Sequence, residues 1–150
     1  MTITLRPAQL SDLDEMQSVF QRASMSNERD RQLLLEHPEW LQQSDGAIKQ
    51  GRTRVAVDEE GTLVGFATYR ITNETAELED LFVDPSHMRH GIATALVGDI
   101  ARQLRDMNYA TMEVTANWHA MSFYLEVGFE PEQLVETEGG PALRMQRTIN

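Results

Sequence analysis

The chain has 150 residues, no cysteine, 41% hydrophobic residues and a formal net charge of -11. That length fits one domain with a real core, and the composition excludes disorder, disulfides, thiolate metal sites and a cysteine nucleophile. With 24 Asp and Glu against 13 Lys and Arg, the overall field repels nucleic acid and anionic membrane surfaces.

The opening "MTITLRPAQL" carries no apolar leader, and nowhere do about 18 apolar residues run together, so a soluble cytoplasmic protein is expected. "TITLRPA" reads as a short strand, followed by Ser11 and Asp14 at capping-box spacing. Leu13, Met16, Phe20 and Ala23 then mark one face of a helix. A second helical stretch starts near Asn27 and is broken at Pro38. "TRVAVDEEGTLVGFATYRI" is two β-rich runs around an acidic turn with Gly61, an antiparallel hairpin.

After a turn at "TNET", "AELEDLFV" reads as a strand whose later half is apolar on both faces, hence a central strand covered by helices on each side. By strict alternation, Glu77 and Glu79 share a face with Leu81 and Val83, while Asp80 points the other way with Leu78 and Phe82. Ile92, Leu96, Ile100 and Leu104 predict a helix over 91–107. "ATMEVTA" follows as a strand, parallel to its predecessor through a right-handed crossover. Ala120, Phe123, Tyr124 and Val127 mark a short helix that stops at Gly128, and the last 22 residues read as a hairpin around "EGGPA". The whole is one mixed α/β domain over 1–150.

The stretch "DPSHMRHGIATAL" carries the first chemistry. A helix starting near Gly91 aims free N–H groups and the positive end of its dipole at the loop. Gly91 and Ala93 keep the backbone accessible. Arg89 and His90 add donors at the rim, and Thr94 adds a hydroxyl in the first turn. This is a turn for phosphate or pyrophosphate. The sequence has neither G-x-x-x-x-G-K-[ST] nor G-x-G-x-x-G, which argues against P-loop and dinucleotide enzymes. His87 and His90 lie on a loop with no third ligand nearby, so no metal is expected.

"NWHAMSFYLEVGFE" resembles the N-x-x-A-x-x-F-Y-x-x-x-G-F signature of the GNAT superfamily of acetyl-CoA-dependent N-acetyltransferases. "LEDLFVDP…MRHGIATAL" resembles that family's acyl-CoA loop, Q/R-x-x-G-x-G/A, with Met88 standing where Gln or Arg is usual. Both motifs fall in the family's order, and the likeness extends over nearly the whole chain.

The resemblance implies a mixed, mostly antiparallel sheet with helices on both faces and a splayed parallel pair at its centre. Its cosubstrate would be acetyl-CoA. The backbone of Leu81, Phe82 and Val83 would pair with the pantetheine arm, and the turn from Arg89 through His90, Gly91, Ile92 and Ala93 to Thr94 would hold the pyrophosphate. Asn117 would reach the pantetheine or cap the short helix. Tyr124 stands where the family places the acid that protonates the departing thiolate, and it also borders the cofactor.

For the base, Glu79 is preferred, with Glu77, Asp80 or ordered water as alternatives. The acceptor would be an amine of a small molecule or peptide. Trp40 and His37 could line its pocket, and Glu130, Glu132, Glu136 and Glu138 would suit a cation. A homodimer is left open. The competing reading is an acyl-CoA-binding sensor or scaffold without turnover.

Overall fold

The computed structural model describes residues 2–25, 32, 36, 45–88, 90–117, 120–137 and 140–150. The break at Pro38, the pocket candidates His37 and Trp40, the rim residue Arg89 and the hairpin residue Glu138 lie outside the described residues.

The elements are β1 (Thr4–Pro7), α1 (Leu13–Met25), α2 (Gly46–Lys49), β2 (Thr53–Val57), β3 (Leu63–Thr72), β4 (Thr75–Val83), α3 (Ile92–Asp106), β5 (Thr111–Ala116), α4 (Met121–Glu126), β6 (Glu130–Thr137) and β7 (Gly140–Thr148). The strands form one 7-stranded sheet in the order β1-β2-β3-β4-β5-β7-β6. Every neighbouring pair is antiparallel except β4 and β5. The expected mixed sheet with a central parallel pair is therefore present. Among the described residues no helix is long and apolar enough to cross a membrane.

Periodicity explains the two-sided core. On one face Leu96, Ile100 and Leu104 of α3 pack with Val64, Ala67, Leu78, Met112, Val114 and Met145 from the sheet, joined by Tyr124 and Phe129. On the other, Met16, Val19 and Phe20 of α1 meet Val55, Leu63 and Phe66. The entry to α1 differs from the expected Ser11–Asp14 box. Asp12 does the capping, accepting the Gln9 N–H at 2.7 Å and a two-pronged bond from Arg6 at 2.8 and 2.9 Å. The Arg6 bond holds the Asp12 carboxyl below the usual aspartate range against the opposing effect of burial. Ser11 lacks a matching cation, and a carboxylate that satisfies both donors takes the position.

Strict alternation fails in β4. Thr68 lies opposite Asp80 and Tyr69 opposite Leu78, so Glu79 is an extra residue and β4 carries a bulge. Ala76 and Leu78 face the α3 side, and so do Leu81 and Val83. Phe82 turns to the α1 side, with ring centroids 4.8 Å from Phe20 and 5.6 Å from Phe66. Glu77 and Glu79 therefore do not share a face with Leu81 and Val83, and Asp80 does not share one with Leu78. The inserted residue puts Asp80 on the Phe82 side.

β3 crosses beneath α3 at Gly65, where a Cβ would stand 3.0 Å from the Phe82 carbonyl oxygen, 3.2 Å from Leu96 Cδ1 and 3.3 Å from Ile92 Cγ2. One of those atoms is backbone and cannot yield without moving β4. Gly65→Ala is expected to lower the unfolding free energy by about 1–3 kcal/mol in denaturant titration; an unchanged midpoint would mean that β3 and β4 move apart freely.

Candidate active site

β4 and β5 pair at only two positions, Glu77 with Glu113 and Leu78 with Val114. Past them the strands part, each keeping its other neighbour: β4 stays on β3 up to Val83, and β5 stays on β7 up to Ala116. The Asp84 N–H donates to the Val64 carbonyl at 2.8 Å. Alternation from that bond directs the backbone groups of Phe82 to β3 and those of Leu81 and Val83 into the gap. Of the three residues, Leu81 and Val83 thus present free backbone groups to the gap, while Phe82 contributes its ring to the core.

At the end of the gap stands the N-terminus of α3. Gly91 is its cap in the left-handed conformation at φ 76°, with open space where a Cβ would be. The Ala95 N–H is the first to find a helical acceptor, the Gly91 carbonyl, so those of Ile92, Ala93 and Thr94 have no partner within the helix. Thr94 and His90 are exposed beside them and Ile92 is buried as an anchor. Met88 is 56% exposed on the same loop, so it leaves the turn open.

The loop between β4 and α3 is held by a contact no local pattern announced. Asp84 accepts Arg22 Nε at 3.1 Å and Nη2 at 2.6 Å from α1, and its other oxygen accepts the Ser86 N–H and hydroxyl. Burial pushes the Asp84 carboxyl up, but Arg22 and Ser86 together hold it below the usual range. A carboxylate on the loop that leads to Gly91 is thereby neutralised.

Tyr124 is buried, with its ring edge-on to Phe123 at 5.2 Å and to Phe129 at 5.3 Å. Burial, reinforced by the charge of Asp80, pushes its phenol up to about 12. Asp80 itself is pushed up to about 6, by burial first and by Glu79 second, against the pull of Arg70 and Arg52. Among the described residues the Asp80 carboxylate makes no ion pair or side-chain hydrogen bond. Glu79 is exposed and lies 3.7 Å from Arg52 and 3.2 Å from Arg70. A cavity of about 240 Å³ opens over both carboxylates, lined also by Met16, Arg52, Thr53 and Thr68. Sequence reasoning missed this lining, and Thr53 and Thr68 share a buried hydroxyl bond of 2.9 Å that only the β2–β3 register creates.

Glu77 braces the first of the two paired positions and does not line the cavity. It accepts Arg70 at 2.8 Å from β3 and Arg144 at 2.7 Å from β7. Burial works against its charge, yet the two guanidinium bonds hold it below the usual range. Asn117 caps the turn into α4, its Oδ1 accepting the Ala120 N–H at 3.1 Å. Among the described residues no three acidic or histidine side chains gather as a metal site.

A model of the acetyltransferase (GNAT) family matches residues 13–129. A streptothricin acetyltransferase from Streptomyces lavendulae is 36% identical over 92 residues, which are 57% of this chain and 48% of that protein. The chain thus spans about half the length of this relative. The PaiA N-acetyltransferase of Thermoplasma acidophilum, solved in complex with coenzyme A, superposes with a TM-score of 0.80 at 19% identity over 99% of each chain. A nourseothricin acetyltransferase superposes with a TM-score of 0.59 at 26% identity, over 66% of this chain and 65% of that one.

The Arg22–Asp84 clamp yields a test of its own. Asp84→Ala removes the acceptor for Arg22 and Ser86 and is expected to cost about 1–3 kcal/mol in thermal or denaturant unfolding. Because the folded carboxyl titrates below the unfolded value of about 3.9, the clamp's contribution is complete above that pH and disappears as pH falls through the depressed folded value. The deficit of the variant should therefore be constant at neutral pH and shrink only below about pH 4; a deficit that is absent at pH 7 would exclude the clamp.

Proposed function

The chain belongs to the GNAT acetyltransferase family, and from that premise we propose that it moves an acetyl group from acetyl-CoA to a primary amine in a ternary complex. The observation that carries this reading is the open strand edge of Leu81 and Val83, which leads from the α3 N-terminus towards Tyr124 and Asp80. The residues fit coenzyme A on two counts. An extended amide-bearing arm completes a free strand edge, and an anion completes three N–H groups at a helix end with no Cβ in the way.

Acetyl-CoA supplies the acyl group already activated as a thioester. Leu81 and Val83 hold the arm through main-chain bonds, and the Leu81 N–H donates to the thioester carbonyl oxygen. Gly91, Ile92, Ala93 and Thr94 hold the pyrophosphate, with His90 at the rim; Arg89 joins them on the strength of its place in the motif. Asp80 takes the proton from the acceptor ammonium, directly or through one water, so that the amine can form the new C–N bond. Tyr124 gives its phenolic proton to the sulfur as the C–S bond breaks, and the second proton lost by the acylated nitrogen restores the phenol through water. The base role passes from Glu79 to Asp80. Asp80 is the unpaired, desolvated carboxylate, and Glu79 is engaged by two arginines and serves instead to attract a cation.

The acceptor proposed is a small cationic amine. Glu79 and Asp80 line the 240 Å³ cavity, and Glu130, Glu132 and Glu136 are exposed carboxylates on the edge strand β6. Similarity to a streptothricin acetyltransferase supports an amine-bearing small molecule.

Thiol release from acetyl-CoA against a panel of amines, run beside direct CoA titration, tests the reading. Turnover on small cationic amines is expected. CoA binding without turnover on any amine would replace the enzyme with an acyl-CoA-binding domain, and no CoA binding would end both. Tyr124→Phe should lower kcat at least about tenfold with CoA affinity nearly intact. Asp80→Asn should lower kcat/KM by about 10² or more, and the parent profile should rise with pH through about 6, because the base works only when deprotonated. A profile flat from pH 5 to 8 would remove Asp80 from the role.

A further inference from the structure

Away from the gap, a cavity of about 340 Å³ lies between the C-terminal half of α3 and the end of β7. Arg102, Arg105, Arg147, Thr148 and Asn150 supply its polar lining. We propose that it binds a small organic oxyanion carrying two or more negative charges.

The charge pattern carries the argument. Acidic residues outnumber basic ones 24 to 13, so a cation left without a carboxylate is unusual here. Arg6, Arg22, Lys49, Arg52, Arg54, Arg70, Arg102 and Arg144 each have one within ion-pair distance. Among the described residues Arg105 and Arg147 have none, and both open into the same cavity although one comes from a helix and the other from a strand. Arg102 is held in place from behind. Its Nη2 lies 3.1 Å from Asp99, a buried carboxylate whose other oxygen takes Arg54 at 2.6 Å.

The α3 dipole accounts for Arg105 in the last turn, but not for Arg147. Guanidinium forks match the paired oxygens of phosphates and carboxylates, and Thr148 and Asn150 offer neutral donors beside them. The volume exceeds that of a lone phosphate and sits at the small end of organic ligand pockets. Arg105 lies about 20 Å along α3 from Ile92 by helical rise, so this cavity is separate from the pyrophosphate turn.

The test is calorimetric titration of CoA-saturated protein with inorganic pyrophosphate and, separately, with citrate, using sodium chloride at matched ionic strength as the blank. Saturation with CoA keeps pyrophosphate from the α3 N-terminus. Should CoA itself not bind, Arg105→Gln and Arg147→Gln still distinguish the two places. One site is expected, weakened at least about tenfold by either substitution, as loss of a charge-assisted bond requires. The tighter of the two probes identifies a phosphate or a polycarboxylate ligand. Thr148→Val keeps both charges and should weaken binding severalfold, which covers any arginine variant that folds poorly. No heat from either probe, or equal affinity in parent and variants, would overturn the proposal and leave the arginines as helix and surface cations only.

Discussion

The arrangement depends on β4 being a paired strand at one end and a free edge at the other. A free edge inside a seven-stranded sheet is costly, because its N–H and C=O groups need partners that β5 no longer supplies. The sheet tolerates it because the short paired stretch is stapled from both sides. Glu77 binds Arg70 on one neighbour of β4 and Arg144 beyond the other, so a charge ladder crosses four strands just before they part. The bulge at Glu79 follows immediately and adds the local twist that keeps the ends apart. Water or an extended ligand must finish the edge, and this is why a strand-like arm suits it.

The same separation sorts the charges. The protein is acidic overall, yet the proposed function asks the turn at Gly91 to accept an anion. Arg22 reaches across from α1 to neutralise Asp84 on the loop that leads into α3, which lessens its opposition to the dipole of α3 at that N-terminus. Further along the gap burial acts on two groups with opposite consequences. It keeps the Tyr124 phenol protonated, as an acid requires, and makes Asp80 a better proton acceptor than an ordinary aspartate. One desolvated strip thus suits both the acid and the base proposed for the reaction.

Most of the fold was legible because it rests on periodicity. The fourfold repeat from Ile92 to Leu104 and the β-rich runs around Gly61 depend only on which residues seek burial, and each formed the element expected. The bulge was written less plainly. The α3-facing apolar residues are Ala76 and Leu78, then Leu81 and Val83, and that spacing of three between pairs is the trace of an inserted residue. Reading β4 as strictly alternating hid it. The Arg22–Asp84 and Arg54–Asp99 pairs could not be read at all, since each joins residues brought together only by the packing of helices on the sheet. The Ser11–Asp14 box fits the local spacing, but tertiary contact with Arg6 gave the capping to Asp12.

That one inserted residue decides between two neighbouring carboxylates. Were β4 regularly alternating, Asp80 would share the α3 face with Leu78, in the apolar core, and only Glu79 of the two would turn to the other face. With the bulge, both carboxylates line the same cavity in different circumstances. Glu79 is the more exposed of the two and lies within reach of two guanidinium groups. Asp80 sits behind it, with burial and the Glu79 charge both favouring proton uptake. At a value of about 6 it is mostly ionised at neutral pH and about a hundredfold more basic than an ordinary aspartate. A general base needs both properties together, and here they follow from where a strand bulges.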